Sequence, residues 1–176
     1  MIAPMHILID SREQLPWGWS PDDATTEIAG LSCGDYALAQ DTEIPKKRGA
    51  LRPVRFAIER KSLEDFLGTI STGWERFQRE LTRMENFPAR VIIVEGNFAD
   101  VCFKETANGV MAPEHNHPQL RPAFVARMIA ELTMMGVSVL LAGDAQLAAG
   151  LAYRVFRRRV ESLGLNEKAQ FRSEAT

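Results

Sequence analysis

The stretch Phe56-Ala57-Ile58-Glu59-Arg60-Lys61-Ser62-Leu63-Glu64-Asp65 carries two structural signals in succession. Its first six residues read as a strand, whose side chains alternate between faces, so Glu59 and Lys61 share one face while Ile58 and Arg60 share the other. Ser62 followed by Asp65 is a helix-start signature, because a serine hydroxyl can accept the backbone N–H three positions on. A strand thus passes directly into a helix, with a carboxylate and an ammonium side by side just before the junction.

Working outward, His6–Ile9 is an apolar run ending at Asp10, and Ala89–Val94 is another ending at Glu95. Together with Phe56–Ile58 and Glu59, three predicted strands end in a carboxylate. Gly34–Leu38 predicts a further strand, entered through the turn-forming Gly30 and Gly34, and Val137–Ala142 a last one closed by Gly143. Helical patterns fill the gaps. One helix follows Ser62; a second runs from about Trp74 to Glu85 with Phe77, Leu81 and Met84 as its apolar stripe, and ends before Pro88. Phe124, Met128, Leu132 and Met135 mark a third, and Asp144 caps a fourth that carries Leu147, Leu151, Val155 and Phe156. The order predicts an α/β fold, a central mixed β-sheet flanked by helices on both faces. Residues 41–53 and 104–122 read as long loops.

With 176 residues, 45% hydrophobic and 25% charged, the chain can bury one proper core and not comfortably two. The expectation is a single domain spanning 1–176, with its core at about 5–163 and a flexible tail at 164–176. The opening MIAPMHILI has no basic leader or small-residue cleavage site, and runs such as VSVLLAG fall far short of the roughly 20 residues of a membrane span. These features predict a cytoplasmic or nucleoid-associated protein without membrane attachment. Cys33 and Cys102 lack the paired spacing of a zinc site or disulfide framework and read as small buried hydrophobes. His115 and His117 sit in a Pro-containing loop with no matching ligand cluster, so a loop without metal is the economical reading.

A net charge of −2 and a pI near 6.0 give no global argument for a polyanionic partner. Distribution says more. Cations cluster at Lys46, Lys47, Arg48, Arg52 and Arg55, at Arg76, Arg79 and Arg83, and at Arg154, Arg157, Arg158 and Arg159, a basic rim around carboxylates at strand ends. In phosphodiester hydrolysis a carboxylate such as Glu59 holds a divalent cation, while a lysine such as Lys61 steers the attacking water and offsets transition-state charge. Magnesium needs at least one more hard oxygen ligand. Asp35 is the best candidate, because it follows Gly34 at the mouth of a strand expected to pair with residues 56–61. As a bare pattern, Asp…Glu-x-Lys also fits an exposed strand with alternating charges.

The match extends beyond three residues. Asp10-Ser11-Arg12-Glu13, Gly34-Asp35-Tyr36 and Glu59-Arg60-Lys61-Ser62-Leu63-Glu64-Asp65 resemble, in order and spacing, the nuclease domain of the XPF family of structure-specific endonucleases, whose signature is Gly-Asp followed by Glu-Arg-Lys-x-x-x-Asp. The resemblance continues through Phe77-Gln78-Arg79-Glu80-Leu81, the strand Val91–Glu95 and the final strand-helix unit. It implies a restriction-endonuclease-like fold and a DNA endonuclease that uses Mg2+ or Mn2+. Residue by residue, it makes Asp35 and Glu59 metal ligands and Lys61 the water-orienting cation, with Asp10, Arg12, Glu13, Arg60 and Asp65 in support. Asp65 also has a helix-capping reading of equal weight.

Lys46, Lys47 and Arg48 are expected phosphate contacts because they abut the catalytic strand. Arg76 and Arg79 are further candidates for DNA contact, although a solvated helix face has the same spacing. The chain departs from the family at Thr72-Gly73-Trp74, where Asp-Gly-Arg is usual. It also ends without the tandem helix-hairpin-helix module that commonly follows, so it reads as a stand-alone unit, and a partner protein could supply substrate recognition. The resemblance further implies a homodimer through Leu147, Leu151, Val155, Phe156 and Val160; the plainer reading turns those residues toward the chain's own sheet. The rival reading is a non-catalytic DNA-binding or dimerisation module of the same fold, against which the intact Asp35, Glu59 and Lys61 speak. Nothing in the residues separates DNA from RNA or hybrid substrates.

Overall fold

The computed structural model describes residues 5–43, 49–53, 55–102, 104–106, 109–111 and 120–173. Lys46, Lys47 and Arg48, as well as His115 and His117, lie outside the described residues. In chain order the elements are β1 (Met5–Asp10), β2 (Ala24–Ala29), β3 (Tyr36–Leu38), β4 (Thr42–Glu43), β5 (Arg52–Pro53), β6 (Phe56–Ser62), α1 (Leu63–Ile70), α2 (Trp74–Arg83), β7 (Ala89–Glu95), α3 (Phe98–Cys102), β8 (Lys104–Thr106), β9 (Gly109–Met111), α4 (Pro122–Met134), β10 (Val137–Leu141) and α5 (Ala145–Ser173).

Six strands make one sheet in the order β10-β7-β6-β3-β1-β2. β10, β7 and β6 are mutually parallel, β3 is antiparallel to both β6 and β1, and β2 runs parallel to β1. Every strand except β3 therefore points the same way. The carboxyl ends of β1, β6 and β7 and the entry to β3 fall on one edge of the sheet, which brings Asp10, Asp35, the Glu59–Lys61 segment and Glu95 together. Open α/β sheets commonly bind their ligands at that edge.

Alternation along the strands sorts the core into two layers. Ile7, Ile9, Phe56, Ile58, Val91 and Ile93 pack with Ala148, Ala152 and Phe156 of α5. On the other face Ile92, Val94 and Val137 pack with Phe66, Phe77, Leu81, Met128 and Leu132 of α1, α2 and α4. Helices thus cover both faces of a mixed sheet, as the hydrophobic pattern predicts. α1 starts where expected, with the Asp65 backbone N–H donating to Ser62 Oγ at 3.1 Å. No helix among the described residues is long and apolar enough to cross a membrane.

Three expectations need correction. β2 carries no sequence signal, because only Ala24 of its six residues is buried and an edge strand without an apolar face shows no period of two. The expected loops at 41–53 and 104–122 each contain a short antiparallel ladder, β4 with β5 and β8 with β9. On α5 the buried stripe is Ala148, Ala152 and Phe156, with Leu151, Val155 and Val160 at its margin, while Leu147 is 61% exposed. Small alanines let the helix axis approach the sheet, and Phe156 then fits edge-on against Phe56 at 5.7 Å. Of the residues named for a homodimer, only Leu147 is open. The helix backbone continues to Ser173.

Two contacts lend themselves to measurement. Gly34 has φ +71°, and a Cβ on it would lie 2.6 Å from Ala57 Cβ, inside the strand pair that carries the site. Gly34→Ala should destabilise the fold by about 2–4 kcal/mol in urea unfolding. Asp41, 1% exposed after β3, receives Arg159 Nε at 2.8 Å and Nη2 at 3.1 Å, tying α5 to that end of the sheet. Arg159→Leu should cost about 3–5 kcal/mol by leaving a buried carboxylate unpaired, and adding Asp41→Asn should recover much of the loss in a double-mutant cycle.

Candidate active site

Asp35 is built into the sheet by its backbone before its side chain does anything. Its N–H donates to Ile58 O at 2.9 Å, and its carbonyl accepts the Asp10 N–H at 2.8 Å. Its Oδ2 then accepts the Arg60 backbone N–H at 2.8 Å, so the carboxylate extends the ladder between β3 and β6 by one bond. This fixes Asp35 against the strand that carries Glu59. Both carboxylates line a cavity of about 940 Å³ together with Lys61, Asp65, Arg12 and Arg76.

The electrostatics follow from that crowding. Burial first, and the Glu59 charge second, push the Asp35 pKa up to about 7, against the opposing pull of the Arg60 N–H and Lys61. Lys61 lies on the same face of β6 as Glu59, as the alternation requires, and its Nζ donates to Glu59 Oε1 at 3.0 Å. The ammonium also sits 5.5 Å from the centre of the Phe77 ring, which helps hold it over the cavity. Asp35 and Glu59 offer hard oxygens from two adjacent strands, and their mutual repulsion would be relieved by a divalent cation. Among the described residues no group of three or more His, Cys, Asp or Glu could hold a metal. A magnesium ion here would draw its other ligands from water and from a phosphate, which is its usual habit.

The remaining expected residues divide by role. Asp10 is 1% exposed, and its Oδ1 accepts the Arg12 backbone N–H at 2.9 Å and Arg12 Nε at 2.6 Å, while Oδ2 accepts the Leu31 N–H at 2.7 Å. Burial opposes its ionisation, but these donors outweigh it and hold its pKa below the usual carboxylate value. Asp10 therefore positions Arg12, whose side chain is 73% exposed at the cavity. Arg60 faces away from Glu59, donating from Nη1 to Glu13 at 2.7 Å and from Nε and Nη2 to Glu95 at 2.7 and 3.0 Å. Those bonds, with Glu95 foremost, raise its pKa and keep it charged.

The Asp65 carboxylate accepts the Ser62 hydroxyl at 2.8 Å, so it braces the residue that caps α1 while also lining the cavity. Thr72 and Gly73 lie on the cavity wall, as does Arg76, whereas Arg79 is not among the lining residues. Sequence reasoning missed Glu95 as the partner of Arg60, although it marked Glu95 as a strand end. It missed Trp17 altogether, whose indole N–H donates to Glu95 Oε1 at 2.7 Å and whose ring lies 5.8 Å from the Arg60 guanidinium.

No curated protein matches this chain by sequence. Solved structures do match by fold. XPF from Aeropyrum pernix superposes with a TM-score of 0.59 at 19% identity, over 88% of this chain and 61% of that one. The same protein in complex with DNA gives 0.57 at 20%, over 90% of this chain and 66% of that one. The chain thus spans about three fifths of the length of the first, and the likeness establishes the restriction-endonuclease-like α/β fold. The ERCC4 domain family matches residues 9–155, which include every residue of the site described above, and the chain belongs to that family.

Proposed function

We propose that this chain is a metal-dependent DNA endonuclease, with Asp35 and Glu59 as the ligands of magnesium or manganese. The observation that carries the reading is the meeting of Asp35, Glu59 and Lys61 in one cavity at the carboxyl edge of the sheet. Membership of the ERCC4 domain family supports a nuclease, and the DNA complex of the Aeropyrum pernix relative supports DNA as the substrate class.

When bound, the cation would supply Lewis-acid stabilisation of a phosphoryl oxygen. The chain's own residues do the rest. Asp35, locked by its backbone bonds, and Glu59 would hold that cation. Lys61, held by Glu59 and Phe77, orients the attacking water and offsets charge as the phosphorus gains its fifth oxygen. Arg12 and Arg76 reach the flanking phosphates of a strand lying in the cavity, contacts that fix register without reading sequence. Arg60 stays bonded to Glu13 and Glu95 and maintains the end of β6. Incubating the protein with labelled single-stranded, duplex, flap, fork and nicked DNA and matched RNA, with magnesium and then with EDTA, tests activity and substrate class together. Chelator-resistant cleavage, or none on any DNA, would remove the proposal.

Glu59→Gln and Asp35→Asn each keep shape and delete one charge. Both should lower the cleavage rate on the order of a hundredfold or more while circular dichroism stays unchanged. The second also reports on pH. Folded Asp35 keeps its proton up to about pH 7, whereas the unfolded carboxyl releases it near its ordinary 3.8. The stability it contributes is therefore full below 3.8 and lost as pH rises through about 7. In metal-free urea unfolding, Asp35→Asn should match the wild type at about pH 4 and exceed it by a few kcal/mol at about pH 8. A gap that does not widen with pH would mean that Asp35 is not held in a crowded carboxylate pair.

A further inference from the structure

A second cavity, of about 640 Å³, opens beside the catalytic one on the α5 side of the sheet. It is lined by the segment 16–20, by Ala145, Gln146, Ala149 and Gly150 of α5, and by Arg60 and Glu95. Leu15 and Arg60 line both cavities, so the two spaces adjoin across these side chains. Leu15 is 75% exposed. Its backbone N–H donates to Glu13 Oε1 at 3.3 Å, which ties it to the carboxylate that also holds Arg60.

Gly150 gives an independent sign. It lies inside a helix, where glycine is disfavoured relative to alanine. A Cβ there would meet only Arg154 Nη1, at an ordinary 3.5 Å, so nothing in the chain requires glycine. Gly18, another lining residue, has nothing within 4 Å of its own would-be Cβ. At both positions the missing side chain leaves open space at the cavity wall into which a ligand can come close to the backbone. The aromatic polar handles are already satisfied: the Trp19 indole N–H donates to Ala149 O at 2.9 Å and that of Trp17 to Glu95. What remains is apolar surface with the exposed amide of Gln146 beside it, and the cation of Arg154 one turn along.

We propose that this cavity takes one unstacked nucleobase of the DNA strand being cut, with Leu15 as the wedge that separates it from its neighbour. The proposal rests on the nuclease reading above. The volume falls within the range of about 300–1,000 Å³ typical of small-ligand pockets, and apolar side chains that pry base steps apart are an established device of DNA-binding proteins. Adjacency to the catalytic cavity makes the occupant a nucleotide close to the cleaved phosphate. Arg154, whose Nη1 donates to the carbonyl of the lining residue Gly150 at 3.0 Å, is the cation assigned to the phosphate of the displaced nucleotide.

The test combines protein and substrate changes. After the wild-type cut is mapped, an abasic residue is walked across the three nucleotides on each side of it, and kcat and KM are measured for wild type, Leu15→Ala and Gly150→Leu. Gly150→Leu fills the cavity and suits a helix; Leu15→Ala, at an exposed position, serves as the second variant, and melting curves check both. At one abasic position wild-type kcat/KM should fall by about tenfold, as expected for the loss of one stacked base. Each variant should lose about as much on intact DNA, yet on that abasic substrate should cleave as the wild type does. Folded variants that cleave intact DNA at the wild-type rate, or whose losses persist on every abasic substrate, would overturn the pocket and leave the nuclease reading standing. Absence of metal-dependent cleavage by the wild type would overturn the nuclease reading, and the pocket with it.

Discussion

One reversed strand determines the geometry of this molecule. β3 is three residues long, wholly buried, and lies antiparallel between two strands that point the other way. Because it is reversed, its beginning lies at the edge where its neighbours end. A residue that enters β3 is therefore brought to the residues that leave β1 and β6, which a parallel strand could not do. Asp35 occupies that entry, bonded by its N–H to Ile58 and by its carbonyl to Asp10. Gly34 makes the approach workable, since its positive φ and missing Cβ let the chain turn against Ala57. The carboxylate is thus carried by the most constrained part of the sheet and not by a free loop, which suits a group that must hold its geometry.

The second constraint is the partition of charge across β6. Alternation sends Glu59 and Lys61 to one face and Arg60 to the other, and the two faces receive opposite treatment. Arg60 is surrounded by Glu13, Glu95 and the Trp17 ring, and every one of those contacts favours the charged guanidinium. Breaking such a network would leave uncompensated charge in a poorly solvated place, so it holds β6, β7 and the turn after β1 in fixed relation. On the opposite face Asp35 and Glu59 crowd one another, with Lys61 bonded to Glu59 and Arg12 acting on both from the cavity wall. The fold satisfies one side of this strand fully and leaves the other in electrostatic conflict, and that conflict is the ground on which a cation is proposed there.

Much of this was legible in the residues. Alternation alone placed Glu59 beside Lys61, Gly34-Asp35 marked the strand entry, and Ser62 with Asp65 marked the helix start; all three signals are local, and local rules sufficed. The contacts that needed the fold are long-range. Trp17 reaches Glu95 across 78 positions, and no periodicity links them. β2 was invisible because an exposed edge strand has no face to bury, and the centre of the α5 stripe at Ala148 and Ala152 was missed because alanine's value there lies in its smallness, not its hydrophobicity. Asp65 stays a dual case, bonded to the capping Ser62 and lining the cavity at once.

The acidic balance of the chain and a polyanionic substrate are compatible for a physical reason. Net charge sets the field far from the surface, and at physiological ionic strength charges beyond a Debye length of about 8 Å are largely screened. What a phosphate meets on arrival is the local set, and at the cavity rim that set includes Arg12 and Arg76, with Lys61 farther in. Of the acidic residues lining the cavity, Glu13 is bonded to Arg60, Glu59 to Lys61 and Asp65 to the Ser62 hydroxyl. Asp35 tends to keep a proton near neutral pH, so even the metal-free cavity presents less negative charge than its composition suggests. In the proposed function the backbone would be attracted by Arg12 and Arg76 at the rim, and the cation held by Asp35 and Glu59, so the two tasks fall to different groups.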